Sequence, residues 1–119
     1  MPYMLLIVEP VDQRAGRSEA EGQALYQRML DFTAELQQRG VLMNSSSLAA
    51  TREGARLRVR DGRRQVVDGP FAETKEMVGG FFLIDVATRD QALAIAAECP
   101  AAEWATVEVR ATGPCYESP

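Results

Sequence analysis

Histidine is absent from the 119 residues, and cysteine occurs only as Cys99 and Cys115. Without an imidazole, the Ser-His-Asp arrangement of serine hydrolases cannot be assembled. Two widely spaced cysteines without histidine partners indicate neither a zinc site nor a disulfide framework. We therefore expect no metal, no cofactor and two idle thiols.

Long apolar runs are also lacking. No segment approaches the roughly 20 apolar residues that a membrane-spanning helix needs. The short run Met4 to Val8 has neither the basic leader nor the small-residue cleavage site of a signal peptide. We predict a cytoplasmic protein that does not contact a membrane.

The charge balance is mildly acidic: 13 basic and 17 acidic residues give a net charge of −4. This gives no electrostatic reason to expect direct binding of nucleic acid. Five arginines are clustered between Arg56 and Arg64. Because they alternate with apolar residues, a solvated strand face is favoured over a nucleic-acid patch.

The first half of the chain predicts a strand followed by a helix. The run Met4 to Val8 is typical of a strand covered on both faces. Ser18 and Glu21 have the spacing of a capping box. Gly40 suits the helix end, so we predict a helix from about Ser18 to Arg39. Its core-facing stripe is expected to hold Leu25, Met29, Phe32 and Leu36.

A weak edge strand is predicted between Val41 and Thr51, followed by a hairpin. Asp61-Gly62 is a dipeptide that favours a tight type I′ turn. A two-residue turn sets the register of the strands. It pairs Arg60 with Arg63, Val59 with Arg64, Leu57 with Val66, and Ala55 with Asp68.

The second half repeats the strand and helix pattern. A central strand is predicted over residues 80–86, with the pair Gly79-Gly80 marking its start. A helix capped by Thr88 and Gln91 follows, with an apolar side formed by Ala92, Leu93, Ile95 and Ala96. The last strand covers residues 106–110. This order predicts an α+β fold, a ferredoxin-like antiparallel sheet with two helices on one face and an added β-hairpin. Residues 1–112 form one domain, and 113–119 form a tail.

The segment Asp68-Gly69-Pro70-Phe71-Ala72-Glu73-Thr74-Lys75-Glu76 resembles the signature of the DGPF-motif group in the YCII-related family. The similarity extends over nearly the whole chain, up to Thr112. It implies a dimeric α+β barrel with a cleft near the Asp-Gly-Pro segment. YCII relatives pair a histidine with the aspartate, and this chain has no histidine. The resemblance also implies an association with extracytoplasmic-function sigma factors.

Asp68 is the candidate catalytic residue. A side chain in an Asp turn usually accepts a hydrogen bond from the amide two positions on, but that position is Pro70, which has no N–H. The register puts Asp68 on the face of Leu57 and Val66, at the border of an apolar surface. Desolvation there would raise its pKa, as a general base requires. A purely structural turn residue is the alternative.

Three further residues are candidate ligand-binding groups. Glu73 and Lys75 follow the Asp-Gly-Pro segment, where Lys75 pairs with a neighbouring acid or binds an anionic ligand. Ser46 offers a hydroxyl in the serine run from Ser45 to Ser47. The alternative interpretation of these residues is a solvated loop.

Two strands that are apolar on both faces, with helices for only one face, predict a homodimer. A four-stranded face about five residues long spans on the order of 300 Å², the size of the largest apolar patches on monomers. Two functions stay open. One is a small-molecule-binding protein or weak enzyme of unknown reaction. The other is a non-catalytic accessory protein linked to a sigma factor.

Overall fold

A computed structural model of the protein describes residues 2–117. Four strands form one antiparallel sheet in the order β2, β5, β1, β6, and the other two, β3 and β4, form a separate hairpin. The strands are β1 (Pro2–Pro10), β2 (Leu42–Ser47), β3 (Ala55–Arg60), β4 (Arg63–Asp68), β5 (Glu76–Asp85) and β6 (Thr106–Ala111). The helices are α1 (Glu19–Gln38) and α2 (Arg89–Glu98). The predicted α+β class, with its ferredoxin-like sheet and added hairpin, is confirmed.

Both helices begin at the predicted capping boxes. The Ser18 hydroxyl accepts from the Glu21 amide at 3.1 Å, and the Glu21 carboxylate accepts from the Ser18 amide at 3.2 Å. These hydrogen bonds from Ser18 hold the pKa of Glu21 below its usual value. Thr88 and Gln91 make the same reciprocal pair at the start of α2. After α1, Gly40 adopts a left-handed φ of 71°, the conformation that commonly closes a helix.

The core lies between the sheet and the two helices. Leu5, Leu36 and Ile84 are fully buried. The Phe32 ring meets Phe82 edge-on, with 5.3 Å between ring centroids. From α2 the core receives Ala92, Ile95 and Ala96.

The predicted apolar side of α2 was wrong at one position. Leu93 is 39% exposed, because burial of Ala92, Ile95 and Ala96 turns the neighbouring position toward solvent. Two small alanines therefore set the orientation of α2, and they let the helix lie close to the sheet.

Strand β5 begins four residues earlier than predicted. Gly79 and Gly80 do not precede the strand but lie inside it, at a register shift opposite Ile7 and Val8. Glycine in a strand interior commonly marks a bulge or a close backbone approach. Gly79 is the unpaired residue at this shift, because Ile7 pairs with Gly80 and Val8 pairs with Val78. A Cβ on Gly80 would lie 2.9 Å from the carbonyl oxygen of Ser46 on β2, so Gly80 marks a close approach.

The hairpin β3–β4 has the predicted register, from Arg60 opposite Arg63 to Ala55 opposite Asp68. Its turn residues Asp61 and Gly62 have φ values of 54° and 73°, as a type I′ turn requires. Every residue of both strands is exposed. The radius of gyration of 16.3 Å exceeds the about 13.5 Å typical of a compact domain of this length. The hairpin therefore stands away from the body of the molecule.

The tail after β6 has no helix or strand between Gly113 and Glu117, and Ser118 and Pro119 lie outside the described residues. Neither helix within residues 2–117 has the length and apolar character needed to cross a membrane.

Candidate functional site

A cleft of about 740 Å³ lies between the N-terminal half of α1 and the β2–β5 side of the sheet. Its floor is formed by strand residues such as Ile7 and Phe82, and one wall by α1. The rim is the segment that leaves β2, from Ser45 to Ala49. Helix α1 contributes Ser18, Glu19, Gly22, Leu25, Tyr26, Met29, Leu30 and Thr33.

The cleft exists because α1 packs closely on the sheet only along its second half. Phe32 and Leu36 of the predicted stripe are buried, whereas Leu25 and Met29 of the same stripe are half-buried. Leu25 and Met29 line the cleft. Gly22, one turn before Leu25, adds no side chain, and a Cβ built there would meet nothing within 4 Å. The apolar stripe of α1 therefore serves both the core and the cleft wall.

A partly buried ion pair lies at the inner end of the cleft. Glu9, at the end of β1, is only 5% exposed. The Arg14 guanidinium donates to both of its carboxylate oxygens, from Nη2 at 2.6 Å and from Nε at 3.3 Å. This bidentate geometry fixes both side chains. Since the charges neutralise each other, Glu9 is able to lie on the apolar side of the sheet.

Arg14 also ties the cleft rim to the sheet. Its Nη1 donates to the carbonyl of Leu48 at 2.8 Å, and its Nη2 donates to the carbonyl of Gly79 at 3.3 Å. A guanidinium has five N–H groups. Four hydrogen bonds are formed within residues 2–117, so one N–H remains for another acceptor.

Gly79 gives the ion pair its space. A Cβ at this position would lie 1.7 Å from Oε1 of Glu9 and 2.7 Å from Nη2 of Arg14. No side chain larger than hydrogen fits beside a carboxylate held on both oxygens.

Aromatic and polar groups complete the mouth of the cleft. The Arg17 guanidinium lies 5.9 Å from the Trp104 ring centroid, and that of Arg28 lies 5.4 Å from it. Arg28 also pairs with Glu103, and its hydrogen bond lowers the pKa of that carboxyl. On the opposite rim, the hydroxyls of Tyr26 and Ser47 are 3.4 Å apart. Trp104 and Met29 pack against the core and also line the cleft.

The four residues predicted from the sequence are not brought together. Ser46 lines the cleft. Glu73 lines an open hollow of about 890 Å³ on the Arg56 and Arg58 side of the hairpin. Lys75 and Asp68 are exposed and line neither. The catalytic role of Asp68 and the ligand-binding roles of the other three remain predictions.

The Asp-Gly-Pro-Phe segment anchors the base of the hairpin. The Gly69 amide donates to the Gly54 carbonyl at 2.8 Å, and a Cβ on Gly69 would lie 1.8 Å from the Thr51 carbonyl oxygen. The Gly69–Pro70 peptide bond is cis. Next to it, the Arg56 guanidinium lies 3.9 Å from the Phe71 ring centroid. The motif therefore has a packing role at this junction.

The thiols lie outside the cleft. Cys99 is buried in the core, and burial raises its pKa, which disfavours the nucleophilic thiolate. Cys115 is exposed. Within residues 2–117, no group of three or more His, Cys, Asp or Glu side chains has the arrangement of a metal site.

Sequence reasoning missed Glu9 and Arg14, although one signal was present. Leu5, Ile7 and Glu9 occupy alternate positions of one strand, so Glu9 continues the buried face. A carboxylate there requires a partner. Arg14 lies five residues on, after a turn whose geometry the sequence pattern did not fix.

Comparison with known proteins identifies relatives of the whole domain. Residues 1–114 match the YCII-related domain. An uncharacterized protein of Rhizobium meliloti (strain 1021) is 34% identical to this chain over 93 residues, which cover 78% of this chain and 75% of the relative. Both findings agree with the predicted resemblance to the YCII-related family. The chain belongs to the YCII-related domain family.

Proposed function

We propose that the protein binds a small molecule in the cleft between α1 and strands β2 and β5. The observation that carries this proposal is the combination of apolar walls with a fixed ion pair at the inner end. A volume of about 740 Å³ lies within the roughly 300–1,000 Å³ typical of ligand pockets. Such pockets are mostly apolar, with a few well-placed polar groups.

The lining indicates the chemistry of the ligand. Leu25, Met29 and Leu30 offer an apolar surface along α1. The remaining N–H of Arg14 is a donor held in place by Glu9. We infer a ligand with an aliphatic or aromatic body and one hydrogen-bond acceptor, a carboxylate or a carbonyl, at its end.

Gly22→Leu tests the cleft without touching the ion pair. The added side chain points into space where a Cβ meets nothing, and leucine favours the helix by roughly 0.5–1 kcal/mol over glycine. We expect a variant that is as stable as the wild type or more so, yet loses ligand-induced stabilisation. The measurement is a thermal-shift screen with arylalkanoic and medium-chain carboxylic acids and their amides, run on both proteins.

Gly22→Ala serves as the matched control for this screen. Its single methyl group gives the helix a similar benefit but leaves most of the cleft open. Compounds should therefore stabilise wild type and Gly22→Ala alike. Hits that raise the melting temperature of Gly22→Leu just as much would place binding elsewhere and refute the cleft as the site.

The Asp-Gly-Pro-Phe segment supports placement of the chain in the DGPF-motif group of its family. Asp68 as acid or base and Lys75 as its neighbour remain a proposal for the hairpin base, on a surface separate from the cleft lining. The rim and this base are linked, since Leu48 and Ala49 run directly into the turn at Thr51–Glu53 against which Gly69 packs.

A second candidate function is that of a non-catalytic accessory protein of an extracytoplasmic-function sigma factor, acting in the cytoplasm. It is supported by the family resemblance, and a hairpin that stands free of the body is a surface suited to a protein partner. We rank it second because the cleft with its ion pair is built for a smaller molecule.

We further propose that the protein is a homodimer. Opposite the helices, the sheet presents six apolar side chains, which we call the open face: Met4, Leu6, Val8, Val78, Phe81 and Leu83. Both helices pack on the other side, so a second copy is the simplest cover. Light scattering at micromolar concentration should give about twice the chain mass of 13.1 kDa. A particle of the single-chain mass would refute the dimer.

A further inference from the structure

The hairpin carries an apolar strip that no other part of residues 2–117 covers. Paired residues of an antiparallel ladder share a face. Leu57 and Val66 are such a pair, and Val59 follows on the same side. Their exposures are 57%, 49% and 55%. We refer to the hairpin from Ala55 to Asp68 as the arm and to these three residues as its strip.

The arm is firmly mounted at its base, yet no third strand within the described residues pairs with it. Gly69 packs on Thr51 and Arg56 on Phe71 at the base. A two-stranded hairpin alone is marginally stable in water and normally needs a third strand or a packed face. The strip is therefore suited to contact with another surface.

The charges of the arm and the body are opposite. The arm has five arginines and two aspartates, which gives +3. Since the whole chain carries −4, the remainder carries −7. Four exposed charged residues border the open face: Glu76 pairs with Pro10, Asp85 with Pro2, Glu108 with Leu6, and Arg110, 3.9 Å from Glu108, with Met4. Beside its open face, the body of a second copy thus presents a net negative charge that the arm complements.

The size of the interface also favours a contact made by the arm. Two sheet faces, each four strands wide and on the order of 300 Å², bury roughly 600 Å² in total, about half the roughly 1,200 Å² at the lower end of stable interfaces. One face of the arm spans about 10 Å by 20 Å. Two arms and the surfaces that receive them add on the order of 800 Å², which brings the sum into the stable range.

We propose that the arm of each copy docks on the body of the other. The strip lies against the body of the partner beside its open face, and Arg64, which shares the strip's face, lies near the acids that border it. Arg56, Arg58, Arg60 and Arg63 lie on the opposite face of the hairpin and add to its positive charge. This inference rests on the proposed dimer. In this dimer, the arms supply interface area that packing of the two sheets alone does not provide.

Val66→Asp and Val67→Asp form a matched pair that tests it. The two valines are neighbours in β4 with exposures of 49% and 58%, and they point to opposite faces of the hairpin. Val66→Asp puts a carboxylate into the strip of both arms, opposite acids. We expect sedimentation equilibrium to give a dimer dissociation constant at least about 30-fold weaker than wild type, since a central interface residue contributes about 1–2 kcal/mol per arm. Val67→Asp should stay within about threefold of wild type.

The outcomes separate the two proposals. A monomeric wild type would overturn the dimer and the arm contact together. A dimeric wild type with equal dissociation constants for the two variants would overturn the arm contact and leave the dimer standing. Circular dichroism establishes that both variants keep the fold. As a second measurement, the wild-type dimer should weaken as salt rises from 50 to 500 mM, because exposed charge pairs are screened; a salt-independent dimer would contradict the role of the arginines.

Discussion

Replacing Gly79 with alanine should lower the free energy of unfolding by about 3 kcal/mol, more than a single methyl group ordinarily costs. The added Cβ would lie 1.7 Å from the Glu9 carboxylate oxygen. That oxygen cannot swing away cheaply, because the carboxylate is bidentate to Arg14 and buried. Either β5 moves or the ion pair breaks, and a broken pair leaves a charge in an apolar environment.

Urea denaturation followed by Trp104 fluorescence measures this effect, with all variants at one protein concentration. Gly16→Ala is the matched control, because a Cβ there meets nothing within 4 Å, and we expect a change below about 1 kcal/mol. The cause is tested by the double variant Glu9→Ala/Gly79→Ala, whose loss should be clearly smaller than the sum of the two single losses. Additive losses would show that Glu9 is not what Gly79 accommodates.

Leu36→Ala should destabilise the protein by about 3–4 kcal/mol. Leu36 is fully buried where α1 meets the core, so truncation removes apolar contacts and leaves a cavity that close-packed neighbours fill only in part. For a domain whose stability is on the order of 5–15 kcal/mol, this is a large fraction of the total.

Leu25→Ala provides the comparison on the same stripe of the same helix. Leu25 lies in the first half of α1, is half-buried and lines the cleft, so its loss should cost only about 1 kcal/mol. The contrast tests whether α1 packs closely only along its second half. Equal losses at both positions would mean that α1 lies on the sheet along its whole length and that the cleft is closed.

What could be predicted from the sequence was set by local chemistry. The capping boxes at Ser18 and Thr88 lie within four residues of chain, and the turn at Asp61-Gly62 determines the register of its hairpin by itself. The apolar side predicted for α2 wrongly included Leu93 beside Ala92, Ile95 and Ala96, because the width of the buried side depends on how closely the helix packs on the sheet. Close helix packing favours the alanines.

The candidate site could not be predicted from the sequence, because it depends on how segments that are distant along the chain pack together. Neither the distance of the first half of α1 from the sheet nor the return of Arg14 onto Glu9 is encoded in a short pattern. The sequence motif predicted Asp68 instead. Its neighbours Gly69 and Phe71 are held by packing at the hairpin base. A recognisable motif marks what a family shares, and here its contacts are structural ones.

The location of a bound ligand is the most direct test of the proposal that the cleft is the functional site. The measurement is a nuclear magnetic resonance titration of the labelled protein with the acids and amides that stabilise it. We predict that the amides of Gly22, Leu48 and Gly79 shift on binding, while those of the arm stay in place. Shifts confined to residues 68–75, with the cleft amides unmoved, would contradict this account and assign the site to the Asp-Gly-Pro-Phe segment.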